Sequence, residues 1–156
     1  MEPKIGIKKP NLAAVAKSLN IILSDEHVLY IKTRHAHWNV EGPDFYAQHK
    51  FFEDQYTQLE GVIDEIAERV RSIGQFPVAT MQKFLELTQL TEQTKGNSSQ
   101  SFIKELLDDH ETIIRYMRDN IKKYEEEWDD IGTSDFITGM MELHEKMAWM
   151  LRAHLK

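Results

Sequence analysis

No cysteine occurs in this 156-residue chain. It therefore builds no disulfide and no thiolate metal site, a usage that fits a reducing cytoplasm. Nor does it contain an apolar run of about eighteen residues, which excludes a helical membrane span. The opening "MEPKIGIKKPN" lacks the apolar stretch of a secretory signal, so a cytoplasmic protein is expected. Positive charge is in deficit, with 19 Lys and Arg against 26 Asp and Glu and a net charge of −7. That balance argues against a general nucleic-acid-binding surface and favours cations as partners. Only the first nine residues, with Lys4, Lys8 and Lys9, are locally basic. Residues 1–10 thus read as a short basic tail and residues 11–156 as one domain with a sizeable core.

Proline is also scarce. Pro3, Pro10, Pro43 and Pro77 leave two long stretches uninterrupted. Leu12, Val15, Leu19, Ile22 and Leu29 recur at helical spacing, with Asn11 as the expected N-cap and Gly42-Pro43 as the stop. A second helix starts near Asp44, carries Phe45, Phe52, Tyr56, Leu59, Ile63, Ile66 and Val70 on one stripe, and ends near Gly74. A short helix over Thr80 to Leu87 follows, then the turn-rich cluster "TKGNSSQS". A third long helix carries Phe102, Leu106, Ile113, Met117 and Tyr124. Gly132 and Thr133 mark a break, and Phe136, Met140, Leu143 and Met147 mark a fourth long helix. With no strand signal, the pattern predicts an all-α four-helix bundle with a short extra helix between helices two and three.

The informative residues are polar ones on apolar stripes. His37 lies eighteen residues after Leu19, five whole turns, so it shares the core-facing direction of the first helix. His49 is in register with Phe45, Phe52 and Tyr56. Either histidine alone would read as a hydrogen-bonded core residue. An antiparallel hairpin about Gly42-Pro43 brings both to similar height, and two imidazoles facing one space begin a transition-metal site. Acids recur one turn apart on the second helix. Glu53 follows His49 by four residues, and Glu68 follows Asp64 by four. Surface pairing of Glu68 with Arg69 or Arg71 is the competing reading.

Geometry restricts the metal reading. From His49 to Asp64 is fifteen residues, roughly 22 Å along a helix, too far for one small centre. Two copies of the helix paired antiparallel about a two-fold axis would bring His49 of one chain to Asp64 and Glu68 of the other. Gly61, near the midpoint, permits the approach. The residues three before each histidine are Ser24, Lys32, Arg34, Tyr46, Leu107, Met141 and Leu151, none of them acidic. A dinuclear centre built inside one bundle from Glu-x-x-His pairs is therefore not expected.

"HWNVEGPDFYAQHKFFE", with "DEIAERV" beyond it and the ending "DIGTSDFITGMMELHEKMAWMLRAHL", resembles the Dps proteins, the mini-ferritins of the ferritin-like superfamily. The resemblance covers nearly the whole chain. It implies a hollow homo-dodecamer of four-helix bundles that binds ferrous iron at inter-subunit ferroxidase centres, two ions to a centre. Such shells oxidise the iron preferentially with hydrogen peroxide and store ferric mineral, protecting DNA from oxidative damage. His37 and His49 match the ligands of one subunit, and Asp64 and Glu68 those of its two-fold partner, with Asp64 bridging. Glu53 matches an acid beside the second metal, and zinc or manganese are possible substitutes. Trp38 and Trp149 match tryptophans near the centre, where they intercept oxidising equivalents or simply pack. Asp135, with Glu126 and Asp130, matches the acids of an iron-admitting pore, although Gly132 looks like a small insertion there.

Two other functions remain open from sequence. One is a DNA-binding, nucleoid-compacting protein with secondary iron chemistry; the other is a helical oligomer without metal. The short tail and net acidity count against DNA, and the intact ligand set against the metal-free oligomer. His35 faces a different side of the first helix from His37. His27, His110, His144 and His154 show no ligand-like spacing.

Overall fold

The computed structural model describes residues 3–92 and 96–155. Thr94 and Lys95 of the turn-rich cluster lie outside these, as do the first two residues of the tail and Lys156. Five helices succeed one another: α1 Lys9–Asn39, α2 Phe45–Ser72, α3 Met81–Leu87, α4 Ser99–Glu126 and α5 Ile131–Ala153. Among the described residues there is no strand, only an isolated bridge between Glu41 and Ser98. The all-α bundle and the short extra helix stand as expected.

Helices α1 and α2 form one packed hairpin, α4 and α5 a second, and α3 lies against α1. The Glu41–Ser98 bridge sets the end of α1 beside the start of α4. The connection from α2 to α4 therefore travels the length of the bundle, the single long crossover of ferritin-like topology. The stripes converge as their spacing requires. Leu19 and Leu29 of α1, Phe52, Leu59 and Ile66 of α2, Phe102 and Leu106 of α4, and Ile137 and Leu151 of α5 are all fully buried. Phe52 and Phe102 meet edge to face, with ring centroids 6.3 Å apart. Each such side chain contributes about 1.5–3 kcal/mol by burial.

The helix ends depart from the sequence reading in two places. Helix α1 begins at Lys9 rather than after an Asn11 cap, because Pro10 occupies its first turn, where a missing N–H costs nothing. Asn11 sits inside the helix and donates to Asp129 Oδ2 at 3.3 Å. The break between α4 and α5 lies at residues 127–130, not at Gly132 and Thr133, which fall in the first turn of α5. Asp130 is the cap there, accepting from Thr133 N at 2.9 Å.

Gly74 ends α2 as expected. Its φ of +80° lets Gly74 N–H donate to Arg71 O and Gln75 N–H to Val70 O, at 2.9 and 3.1 Å. A Cβ at this position would lie 2.5 Å from Cδ of Pro3. Pro3 is thus packed against the far end of α2.

Candidate metal centre

The α1–α2 hairpin brings the two histidines into contact. Their rings stack with centroids 3.8 Å apart and planes 21° from parallel. His37 is buried and His49 half-buried. His37 Nδ1 lies 2.8 Å from His49 O, and His49 Nδ1 lies 2.8 Å from His37 O. A carbonyl oxygen only accepts, so each Nδ1 carries the proton and donates it. Nε2 is then the nitrogen of each ring left to ligate a metal, in an orientation fixed by main-chain atoms.

Aromatic rings close in around the pair. Tyr56 meets His37 edge-on at 5.2 Å, and Phe45 lies 5.2 Å from His49. Glu53, one turn beyond His49, is held by Lys50 Nζ at 2.6 Å. The Lys50 hydrogen bond, opposed by partial desolvation and aided by the Lys50 charge, keeps its carboxyl below the usual range. A metal drawing on Glu53 has to displace Lys50.

Asp64 and Glu68 stand exposed further along α2. Helix α2 is continuous from Phe45 to Ser72, so Asp64 is about 22 Å from His49. The chain brings together His37 and His49, leaves Glu53 one turn beyond His49 on Lys50, and does not bring Asp64 or Glu68 to them. Among the described residues no three acids or imidazoles of one chain converge as a metal-holding group. The competing surface pairing of Glu68 is absent there: Arg69 turns to Asp130 at 2.9 Å, and Arg71 donates to Gln75 O at 2.8 Å. Asp64 borders a groove of about 750 Å³ together with Glu60, Gly61 and Ala67. A Cβ added at Gly61 would meet no atom of another part of the chain within 4 Å.

Of the remaining sequence candidates, Trp38 and Trp149 are 60% and 62% exposed, so neither belongs to the core of this chain. Glu126 and Asp135 are exposed. Asp130 is 2% exposed, and its two oxygens serve Thr133 and Arg69. That commits it to capping α5, which sets it apart from the two exposed acids. His35 turns away from His37 and meets Phe102 edge-on at 5.7 Å.

A ferritin-like domain model matches residues 16–156. A "DNA protection during starvation protein 2" of Bacillus anthracis is 38% identical over 141 residues, 90% of this chain and 96% of that protein. The chain belongs to the Dps family. The Dps protein of Vibrio cholerae, described as a member of a broad superfamily of ferritin-like diiron-carboxylate proteins, superposes with a TM-score of 0.94. It is 32% identical and is covered over 97% of its length, with 99% of this chain. A Dps protein of Bacillus brevis superposes at 0.90 and 36% identity, covering 96% of this chain and 99% of that one. A low temperature-induced protein of Nostoc is 40% identical over 153 residues, 97% of this chain and 86% of its own. Membership in the Dps family agrees with the bundle and its single long crossover.

Sequence reasoning missed two polar clusters of this Dps fold. Glu26, His110 and His144 are fully buried at the centre of the bundle. His110 Nδ1 lies 3.0 Å from His144 Nδ1, and His144 Nε2 lies 2.9 Å from Glu26 Oε1, off the axis of a good hydrogen bond. Burial, with His144 nearby, pushes the His110 pKa well below the ordinary imidazole range. The signal was present. Each residue follows an apolar stripe position by four and precedes another by three: Ile22 and Leu29, Leu106 and Ile113, Met140 and Met147. A second cluster joins buried Lys32 to Glu105 at 3.0 Å and Asp109 at 2.6 Å. There burial outweighs the lysine and raises the Asp109 carboxyl to about 6.

Proposed function

We propose that this protein is an iron-detoxifying mini-ferritin that oxidises ferrous iron at centres shared between two subunits. In this reading His37 and His49 of one subunit face the partner subunit's Asp64 and the partner subunit's Glu68, with Glu53 beside the second of two iron ions. The observation that carries it is the reciprocal Nδ1 bonding of the two histidines, which leaves both Nε2 atoms held in place as the ligating nitrogens. Exposed carboxylates on the same continuous helix, too distant to serve their own chain, supply the complement. Nitrogen and hard oxygen donors together suit iron, with zinc or manganese as substitutes.

Two ferrous ions at one centre each give an electron to hydrogen peroxide, so reduction proceeds without releasing hydroxyl radical. The carboxylates favour the ferric product electrostatically. The ferric product is stored inside a closed dodecamer, and removal of iron and peroxide together protects DNA. Direct DNA binding has little to work with, because Lys4, Lys8 and Lys9 are the only basic cluster on a chain of net charge −7. In this reading the protein works in the cytoplasm. Among the described residues no helix is long and apolar enough to cross a membrane.

The test is subunit complementation. A His37→Ala, His49→Ala variant and an Asp64→Ala, Glu68→Ala variant are each loaded anaerobically with ferrous iron and given peroxide, and ferric absorbance is followed. Each alone is slow. Co-assembled from a dissociated mixture they regain part of the wild-type rate, because a mixed interface holds one intact centre. Failure of the mixture to exceed either variant would show that the residues do not share a site.

A further inference from the structure

The second buried cluster holds reactive groups that the iron reading does not use. Lys32 of α1 is 2% exposed, and its Nζ stands between two carboxyl groups of α4, 3.0 Å from Glu105 Oε1 and 2.6 Å from Asp109 Oδ2. Nζ donates to Thr91 O at 2.8 Å. Asp109 Oδ2, although nearer, lies off the axis of a good hydrogen bond, and Glu105 Oε2 is buried with no partner. An amine thus rests against a carboxyl group in a fixed, water-poor setting. Contacts of this kind convert a sluggish bimolecular reaction into an intramolecular one, with effective concentrations on the order of 10⁵ M or more.

Charge prepares the partners. Two carboxylates face one ammonium, so the fully ionised cluster is net negative, which a dry site opposes by taking up a proton. Burial raises the Asp109 carboxyl to about 6, and the proton goes there. The acid form matters, because a carboxylic acid can release water where a carboxylate cannot. Glu105, 3.0 Å from the ammonium, is the base that frees the amine. We infer that Lys32 and Asp109 join spontaneously through an amide bond, with Glu105 carrying the proton, and that α1 and α4 of each subunit thereby become covalently linked.

Atoms and charge balance in the step. The Lys32 ammonium passes one proton to Glu105 and becomes a neutral amine. Its nitrogen then bonds to Asp109 Cγ, and the bond from Cγ to the protonated oxygen breaks. The departing hydroxyl takes a second proton from the nitrogen and leaves as water. The products are a secondary amide, one water and Glu105 as the neutral acid, with nothing oxidised or reduced. One N–H remains on the amide, and Thr91 O is its acceptor. Water has an outlet, since Lys32 also lines a cavity of about 520 Å³ beside Met81, Phe84 and Leu85 of α3. The exchange replaces buried ions by neutral groups and so relieves their desolvation. It requires the folded site, so a freshly folded chain still carries the free carboxyl. Its product staples the two helical hairpins of the bundle to each other.

The experiment is intact-mass spectrometry of the assembled, metal-free protein, sampled from first folding through prolonged incubation and denatured just before measurement. Wild-type subunits fall in mass by one water, and proteolytic digestion yields the peptide containing Lys32 joined to the peptide containing Asp109. Lys32→Arg keeps its full mass, and Glu105→Gln loses water on the order of a hundredfold more slowly. Wild-type subunits that keep their full mass, a water lost anywhere but at this pair, or an equal loss in Lys32→Arg would each overturn the link. Linkage at the wild-type rate in Glu105→Gln would overturn the role of Glu105. Should a variant fail to assemble, the wild-type digest decides alone.

Discussion

Arg69, one turn from the end of α2, reaches Asp130, the residue that caps α5, at 2.9 Å. The same carboxylate accepts from Thr133 N and from Thr133 Oγ1, and Arg69 Nε donates to Thr133 Oγ1. One buried carboxylate thus closes α5 and ties it to α2.

Asp130→Ala removes an N-cap and leaves a half-buried guanidinium without its partner. A loss of about 1–2 kcal/mol is expected for the cap alone, and more with the broken ion pair. Urea unfolding of the metal-free protein measures it. Asp135→Ala, at an exposed position, leaves stability within about 0.5 kcal/mol.

His49→Ala removes the Nδ1 bond from residue 49 to His37 O, while His37 Nδ1 keeps the main-chain oxygen of residue 49 as its acceptor. Metal-free protein is expected to lose about 1–3 kcal/mol, with a buried polar group left unpaired. Ferrous oxidation falls in the same variant. Unchanged unfolding would mean that the bond from His49 Nδ1 to His37 O does not hold the loop.

Gly74→Ala is strained twice, by a left-handed φ of +80° and by the Pro3 ring in the space of its Cβ. A cost of about 1–2 kcal/mol is expected from the backbone alone. Thermal unfolding checks it, and removal of the first eight residues should relieve the steric part but not the backbone part.

Two buried groups set opposite pH responses. His110 has a folded pKa depressed by burial below its unfolded value, so the unfolded chain binds the extra proton. Its contribution is fully present above about pH 6.5 and is lost as pH falls. Asp109 is raised to about 6 from 3.8, so the folded chain binds the extra proton between those values. Its contribution is present below 3.8 and is lost as pH rises through about 6. His110→Leu should therefore flatten the acid-side decline of the melting temperature, and Asp109→Asn should steepen it. Melting curves across that range decide both signs.

Much of the fold was legible because apolar spacing and two glycine breaks fix it. The stripe through Phe52, Leu59 and Ile66 could bury itself only in a bundle. His37 and His49 were legible as a pair because the hairpin turn lies midway between them. Their mutual hydrogen bonds were not, since they depend on how the chain returns after Gly42. The start of α1 was misread because Pro10 looks like a boundary in sequence yet suits a first turn. Glu26, His110 and His144 lay in plain register with their apolar neighbours. They escaped notice because no two are on the same helix, and only packing of α1, α4 and α5 joins them.

Helix α2 is a rigid ruler with one half of the proposed chemistry near each end. Its length is set by main-chain hydrogen bonds, not by the side chains that would hold iron. One residue inserted between Glu53 and Asp64 would lengthen it by about 1.5 Å and turn its two ends by about 100° relative to each other. No side chain of the centre would be altered, yet imidazoles and carboxylates would no longer look toward the same partner. In the proposed reading the same ruler makes catalysis conditional on assembly: an isolated subunit carries every donor and completes no centre, so iron oxidation would begin only where a neighbour stands ready beside it.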